Sequence, residues 1–424
     1  MKVAVIGTGI AGNVAAFKLR REHDITVFEA NSYIGGHTNT VDVVEDGQTY
    51  AVDTGFIVYN DRTYPNFIRL LDELGQASQQ SEMSFSVQAS NGGIEYNGAS
   101  LNSLFAQRRN IFRPSFYRML RDILRFNELG LQDPTAGDGE ESLAEFLRRK
   151  KFSREFAEHY LIPMAAAIWS AERSSVLDMP IAFLVRFFAN HGLLQLSDRP
   201  VWRVIKGGSR QYVRKLVAGH ADRIRLAAPV ESVRRRNGQV EIYSAAGGRE
   251  VFDAVFMACH SDQALKLLRD ATSTEREVLG AIRFQTNEAI LHTDCSLMPR
   301  RRRAWAAWNY RLPETHQHQV AVTYNMNILQ GLTANKQYLV TLNNRQDIDE
   351  RQIIRTEHYD HPVFSRAALA AQARHAEVCG PQTYFCGAYW RNGFHEDGVV
   401  SALRAVEFFN EESSGAQLHL RRAG

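Results

Sequence analysis

The chain has 424 residues, 44% of them hydrophobic and 23% charged, with 50 lysines and arginines against 47 aspartates and glutamates and a formal net charge of +3. That length supports a large core and predicts two domains, and the near balance of charge leaves no nucleic-acid footprint in the composition. Four scattered cysteines, Cys259, Cys295, Cys379 and Cys386, lack paired metal spacing and read as reduced thiols of a cytoplasmic protein, and no apolar run reaches the roughly eighteen residues of a membrane span.

The first apolar stretch, Val3 to Ile6, lacks the charged leader of a signal peptide and reads as a buried parallel strand. It runs into the turn Gly7-Thr8-Gly9-Ile10-Ala11-Gly12, a helical composition from Ala11 to Arg21, a second strand Thr26-Val27-Phe28, and Glu29. A strand, a G-x-G-x-x-G turn, a helix and an acid about 20 residues on make a dinucleotide-binding unit. Gly7 allows the tight turn, Gly9 admits a pyrophosphate, and Gly12 lets helix and strand close up. Ile10 and Ala11 begin the helix whose unpaired N–H groups face the phosphates. Glu29 is placed on a ribose hydroxyl, and its acidity disfavours NADP.

After Glu29 and Ala30 comes a second glycine pair in Gly35-Gly36-His37-Thr38-Asn39-Thr40. It lets the backbone pass close to the far half of a long cofactor, which an ordinary NAD domain does not need. His37 reads as a backbone-positioning residue of this turn, followed by Thr38. Glu29, Gly35, Gly36 and Thr40 resemble the pattern of the flavin-containing amine oxidase and phytoene-desaturase-like superfamily, with Tyr33 where that family usually has Arg. Asp53-Thr54-Gly55-Phe56 resembles the strand-turn that follows in the family.

Residues 76–199 start with strand-like alternation at Met83–Val87 and turn helical. The stretch Leu104–Leu129 interleaves Arg108, Arg109, Arg113, Arg118, Arg121 and Arg125 with apolar residues. It reads first as a solvated helix face over a core stripe, and second as a basic amphipathic helix for anionic lipid. A loop at 135–140 precedes a capping box formed by Ser142 and Glu145. Pro180–Val185 with Phe187, Phe188, Leu193 and Leu194 reads as core, with an apolar substrate tunnel as the alternative.

Farther along, Ile205–Ser209 and Tyr212–Leu216 resemble the family's return into the cofactor domain. In Pro229–Val233 the resemblance implies an adenine contact at Val230, and Asp253–Cys259 reads as another buried strand. Glu288–His292, Val320–Tyr324 and Tyr338–Leu342 are strand-like. Arg300–Arg303 reads as a basic surface loop, Trp305 and Trp308 as domain packing or a pocket wall, and His316-x-His318 as a polar turn. Tyr384–Ala388, containing Gly387, and the helix opening Gly393–Ala402, containing Gly398 and Val399, carry the most specific likeness. There the resemblance implies the ribityl and pyrimidine contacts of FAD, and helix-end N–H groups suit the negative charge of a reduced flavin.

The expected architecture is α/β: a Rossmann-like FAD-binding domain assembled from 1–75, 200–275 and 376–424, with an α+β substrate domain from 76–199 and 276–375. No cysteine–histidine motif suggests covalent attachment, so noncovalent FAD is expected, and no metal. No second glycine turn binds a nicotinamide, so the substrate itself is the expected electron donor. Phe394, next to the last helix, matches the position of a family aromatic wall, with Trp390 and His395 as further candidates at the reacting centre. Glu396 and Asp397 read equally as helix caps or acid–base groups.

The amine-oxidising relatives commonly use a lysine near flavin N5, and no lysine lies between Lys266 and Lys336. Ala304–Tyr310, Val322–Asn327 and Glu357–Pro362 resemble bacterial members that tend to accompany cyclopropane-fatty-acid-synthase-like enzymes. The reading is hydride transfer from a substrate C–H, with a lipid or fatty-acyl substrate slightly above a small amine or polyamine. A non-catalytic lipid- or prenyl-binding protein on the same fold is the reading from another class. Peripheral membrane contact and a small-molecule or lipid substrate are the partners this implies, with no nucleic acid; the oligomeric state is not written in these residues.

Overall fold

The computed structural model describes all residues except 90–91, 133–140, 196, 246, 313–320 and 424, with side chains described as far as residue 414. Five parallel strands form the first sheet: β1 (Lys2–Ile6), β2 (Asp24–Phe28), β3 (Ile224–Arg225), β4 (Ala254–Met257) and β5 (Thr383–Phe385), in the order β3-β2-β1-β4-β5. The chain therefore contributes to one sheet from its beginning, middle and end. Alternation along β1 sends Val3 and Val5 into one core and Ala4 and Ile6 into another, so both faces are covered. On the first face lie α1 (Ile10–Leu19) and the long last helix α2 (His395–Ala423), which pack on each other. The second face is covered by an antiparallel sheet of Val230–Arg236, Gln239–Ser244 and Gly248–Phe252.

A seven-stranded sheet joins the two insertions. Its order is Ile353–Pro362, Phe284–His292, Leu339–Leu342, Val322–Asn325, Trp308–Leu312, Phe85–Ala89 and Glu95–Asn97. All neighbours are antiparallel except Trp308–Leu312 beside Phe85–Ala89. Helices Pro114–Gln132, Ile162–Trp169 and Ile181–Asn190 bury their apolar faces in the large core of this half. Phe183, Phe187, Phe188 and Leu194 are buried there, which is core packing.

The capping box holds: Ser142 N–H donates to Glu145 Oε2 (2.8 Å) and Glu145 N–H to Ser142 Oγ (3.3 Å), starting helix Leu143–Arg149. The single helix expected over Leu104–Leu129 is instead broken into Leu101–Leu104, a 3₁₀ turn at Arg108–Phe112, and Pro114–Gln132. Pro114 causes the break, because it has no N–H to donate and biases Arg113 away from helical backbone. The 135–140 loop and the His316–His318 turn lie outside the described residues. Among the described residues no helix is long and apolar enough to cross a membrane.

Candidate functional site

The three glycines of the first turn differ in what surrounds them. Gly7 has φ +105°, and a Cβ there would meet the Ala258 carbonyl oxygen at 2.8 Å. At Gly12 it would lie 1.9 Å from the Gly7 oxygen. Protein packing therefore accounts for both. At Gly9 an added Cβ meets nothing within 4 Å, and no side chain caps α1. The open space and uncapped N–H groups of Ile10, Ala11 and Gly12 form a cradle for an anion. Gly36 closes the opposite side, where a Cβ would approach Gly9 Cα to 3.0 Å. Gly35 N–H donates to Thr8 Oγ1 (3.3 Å). Tyr33, in place of the family's Arg, donates its hydroxyl to the Gly36 carbonyl (3.0 Å) and so pins the glycine pair.

Glu29 is buried at the end of β2. Its Oε2 accepts from Thr8 N–H (2.9 Å) and Thr8 Oγ1 (2.5 Å), and its Oε1 from Asn31 N–H (2.8 Å). A carboxylate has about four acceptor positions, so one remains for a ribose hydroxyl. Ala30 beside it is exposed. The chain before Val230 runs next to this acid, with Ala228 N–H donating to the Glu29 carbonyl (2.8 Å). Val230, half-buried, opens its strand there and pairs with Ser244. The residues fit a flavin dinucleotide by shape and by charge: an open anion cradle at Gly9, a buried acid at the end of the neighbouring strand with an acceptor position to spare, and a glycine pair close against the first turn.

The N-terminal end of α2 packs against the start of α1. Gly398 lies against Ile10, where a Cβ would meet Ile10 Cγ2 at 2.5 Å, and Val399 is buried in the same core. Gly387 N–H donates to Ser401 Oγ (2.9 Å), which ties the turn after β5 to α2. His395 is stacked on Phe56, and its Nε2 lies 3.0 Å from Thr38 Oγ1 and 2.9 Å from the Tyr212 hydroxyl. Thr38 and Tyr212 are themselves 2.6 Å apart. Burial pushes the His395 imidazole down to about 3, so it stays neutral and holds three segments together.

Glu396 and Asp397 both act as caps. Glu396 accepts from the backbone N–H groups of Asn66 and Phe67 at 3.1 and 2.9 Å, at the start of helix Pro65–Glu73. Asp397 accepts from Phe394 N–H (3.0 Å), and burial lifts its carboxyl to about 6. Trp390 is not brought to Phe394: it is buried in the core on the second face of the sheet, stacked on His375 at 4.1 Å.

Phe394 stands where the two large cores meet, packed against both. It stacks on Phe187 at 5.2 Å, and Phe187 contacts Trp169 at 4.7 Å. Trp305 and Trp308 lie elsewhere. Trp305 donates to the Pro299 carbonyl beneath the arginine loop, and Trp308 meets Tyr324 edge-on within the seven-stranded sheet.

His37 donates position through its backbone, since its carbonyl accepts from Phe56 N–H (2.7 Å). Its ring meets Tyr359 at 4.9 Å, His361 at 5.4 Å and His260 at 6.3 Å. Desolvation, then His361, then His260 hold it well below the ordinary imidazole range. Tyr359 in turn bonds Thr54 (2.9 Å), joining the seven-stranded sheet to the turn after strand Gln48–Asp53.

Thr8, Phe56, Tyr212 and Tyr359 fell inside stretches read for their family likeness, but sequence reasoning did not single them out as site residues. Among the described residues no three His, Cys, Asp or Glu side chains converge as metal ligands.

With this geometry in view, three likenesses to known proteins are informative. The family described as flavin containing amine oxidoreductase matches residues 10–324. A cyclohexylamine oxidase from Brevibacterium oxydans IH-35A superposes with TM-score 0.68 at 15% identity, over 97% of this chain and 99% of that one. A CLA-producing fatty acid isomerase from P. acnes superposes with TM-score 0.68 at 16% identity, over 96% and 98%. In sequence, a 4,4'-diapophytoene desaturase (4,4'-diaponeurosporene-forming) of Staphylococcus aureus (strain MRSA252) is 33% identical over 81 residues, 16% of each chain. The match thus spans only a small part of that relative's length.

Proposed function

Because this chain belongs to the flavin-containing amine oxidoreductase family, a family of flavin-dependent enzymes, we propose that it holds FAD noncovalently and oxidises a C–H bond of a lipid or fatty-acyl substrate. The observation that carries the cofactor is the open cradle at Gly9, faced by Gly36, in a turn whose other glycines are explained by protein contacts. When bound, FAD supplies a two-electron acceptor for a hydride.

The chain's own residues bind and orient. The N–H groups that open α1 hold the pyrophosphate, Glu29 the adenosine ribose, and the N-terminal end of α2 favours negative charge at the pyrimidine end. Phe394, half-buried at the seam of the two halves and backed by the core residue Phe187, offers an apolar face that excludes water from a chain lying there. His395 is a positioning residue. It keeps Thr38, Tyr212 and Phe56 fixed beside the glycine pair.

One feature supports a lipid over an amine: the lack of any lysine between Lys266 and Lys336. The short likeness to a 4,4'-diapophytoene desaturase points the same way. Identifying the flavin released on denaturation distinguishes FAD from FMN. Anaerobic mixing of the holoprotein with fatty-acyl compounds and with putrescine or cyclohexylamine then tests the substrate. Bleaching of the flavin band by the acyl compounds alone is expected; bleaching by an amine alone would sink the lipid reading.

A further inference from the structure

The fold brings two arginine clusters, far apart in sequence, to one place. Arg108 and Arg109 from the first insertion and Arg301, Arg302 and Arg303 from the second line a single surface cleft of about 550 Å³. Glu95 is paired with Arg301, but among the described residues no carboxylate pairs with Arg108, Arg109, Arg302 or Arg303. Arg108 is aimed by neutral groups, donating to the Phe105 carbonyl (2.9 Å) and to Asn102 Oδ1 (2.6 Å), and Arg109 donates to the Gly92 carbonyl. Arg302 lies over the Trp305 ring. The cleft is thus a concentration of fixed positive charge in a chain whose net charge is only +3.

The same region exposes apolar side chains. Of the twelve large hydrophobic residues exposed among the described residues, six fall between Leu101 and Leu131. Leu101 is 77% exposed, on the short helix that precedes Arg108 and Arg109, and Phe112 is 85% exposed, at the end of the 3₁₀ turn that contains them. Tyr117, Leu124 and Leu131 recur every seven residues on the outer face of helix Pro114–Gln132, beside Arg118, Arg121 and Arg125. Such exposed apolar side chains, gathered beside guanidinium groups that no carboxylate neutralises among the described residues, mark an interaction surface.

We propose that this surface docks on an anionic lipid bilayer, with the arginine cleft receiving headgroup phosphates and Phe112 and Leu101 entering the acyl boundary. Arginine suits phosphate through its planar fork of donors, and apolar tips beside it suit an interface rather than a nucleic-acid backbone. Each arginine near such a surface strengthens binding about fivefold, and the attraction is screened by salt. The inference rests on the surface alone, so it stands whichever substrate reduces the flavin.

Flotation of the full-length holoprotein with vesicles tests it. Vesicles of phosphatidylcholine with about one-third phosphatidylglycerol are expected to carry the protein up at low salt, and pure phosphatidylcholine vesicles are not. Arg302→Ala with Arg303→Ala should weaken binding about thirtyfold, whereas Arg302→Lys with Arg303→Lys should keep most of it. Phe112→Ser should weaken it at every salt concentration, with bound flavin retained in each variant as the check on folding. Equal binding to both vesicle types, or full binding by the double alanine variant, overturns the proposal. So does preference for a single-stranded oligonucleotide that survives Phe112→Ser.

Discussion

The imidazole of His395 lies flat on the ring of Phe56, with centroids 3.4 Å apart and planes within 11° of parallel. One residue begins the last helix and the other follows the strand Gln48–Asp53, so this stack clamps the end of the chain onto its beginning. The ring is neutral because burial leaves no water to solvate a charge.

That neutrality predicts how stability responds to acid. The folded-state value of about 3 lies below the ordinary imidazole value of 6.5, so the unfolded chain binds a proton that the folded chain refuses. The contribution is complete above pH 6.5 and is lost as pH falls toward 3. His191, His220, His292, His361 and His375, each lowered to about 4 chiefly by burial, act in the same sense. Asp53 and Asp397, raised to about 6, act in the opposite sense, but they are two against six. The denaturant midpoint should therefore drop between pH 7 and pH 5, and less steeply in His395→Gln. Equal midpoints at the two pH values would contradict this account.

Gly9 and Gly12 should separate cofactor binding from folding. Gly9→Ala places a methyl in open space at φ −64°, so the apoprotein should unfold at the wild-type temperature while losing flavin affinity by tenfold or more. Gly12→Ala drives a methyl into the Gly7 carbonyl and should cost about 1–3 kcal/mol or more. Apoprotein thermal melts and flavin titrations read the two effects independently.

Glu396 should prove structural. Helix Pro65–Glu73 has no side-chain cap of its own, and Glu396 supplies one from 330 residues away. Glu396→Ala should lower unfolding free energy by about 1–2 kcal/mol and leave the anaerobic rate of flavin reduction unchanged. A loss of reduction rate with normal stability would return this carboxylate to the chemistry.

Phe394 should matter to the reaction and little to cofactor retention. Phe394→Ala removes the apolar face at the seam, and reduction of the bound flavin should slow by roughly tenfold or more, while Phe394→Tyr keeps the face and most of the rate. Stopped-flow absorbance at the flavin band, with flavin content measured alongside, decides it.

What the sequence by itself determined was contiguous. The strand, glycine turn, helix and acid from Lys2 to Glu29 fold as read, and so does the capping box at Ser142 and Glu145, because neighbours along the chain are neighbours in space. Cofactor class and family followed from those short spacings and from the block Gly387–Ala402. Even the break at Pro114 was within reach of a local rule.

Tertiary structure decided which side chains face the site. Trp390, four residues from Phe394, turned into the core, while Tyr212 and Phe56 converged on His395 from unrelated segments. Glu396 capped a distant helix, and Arg301–Arg303 met Arg108 and Arg109 beside the edge strand Glu95–Asn97. A side chain's direction is set by how its element docks against others, and docking is governed by packing between residues hundreds of positions apart. Local spacing carries no record of that, so the cradle could be read from the sequence and the surfaces around it could not.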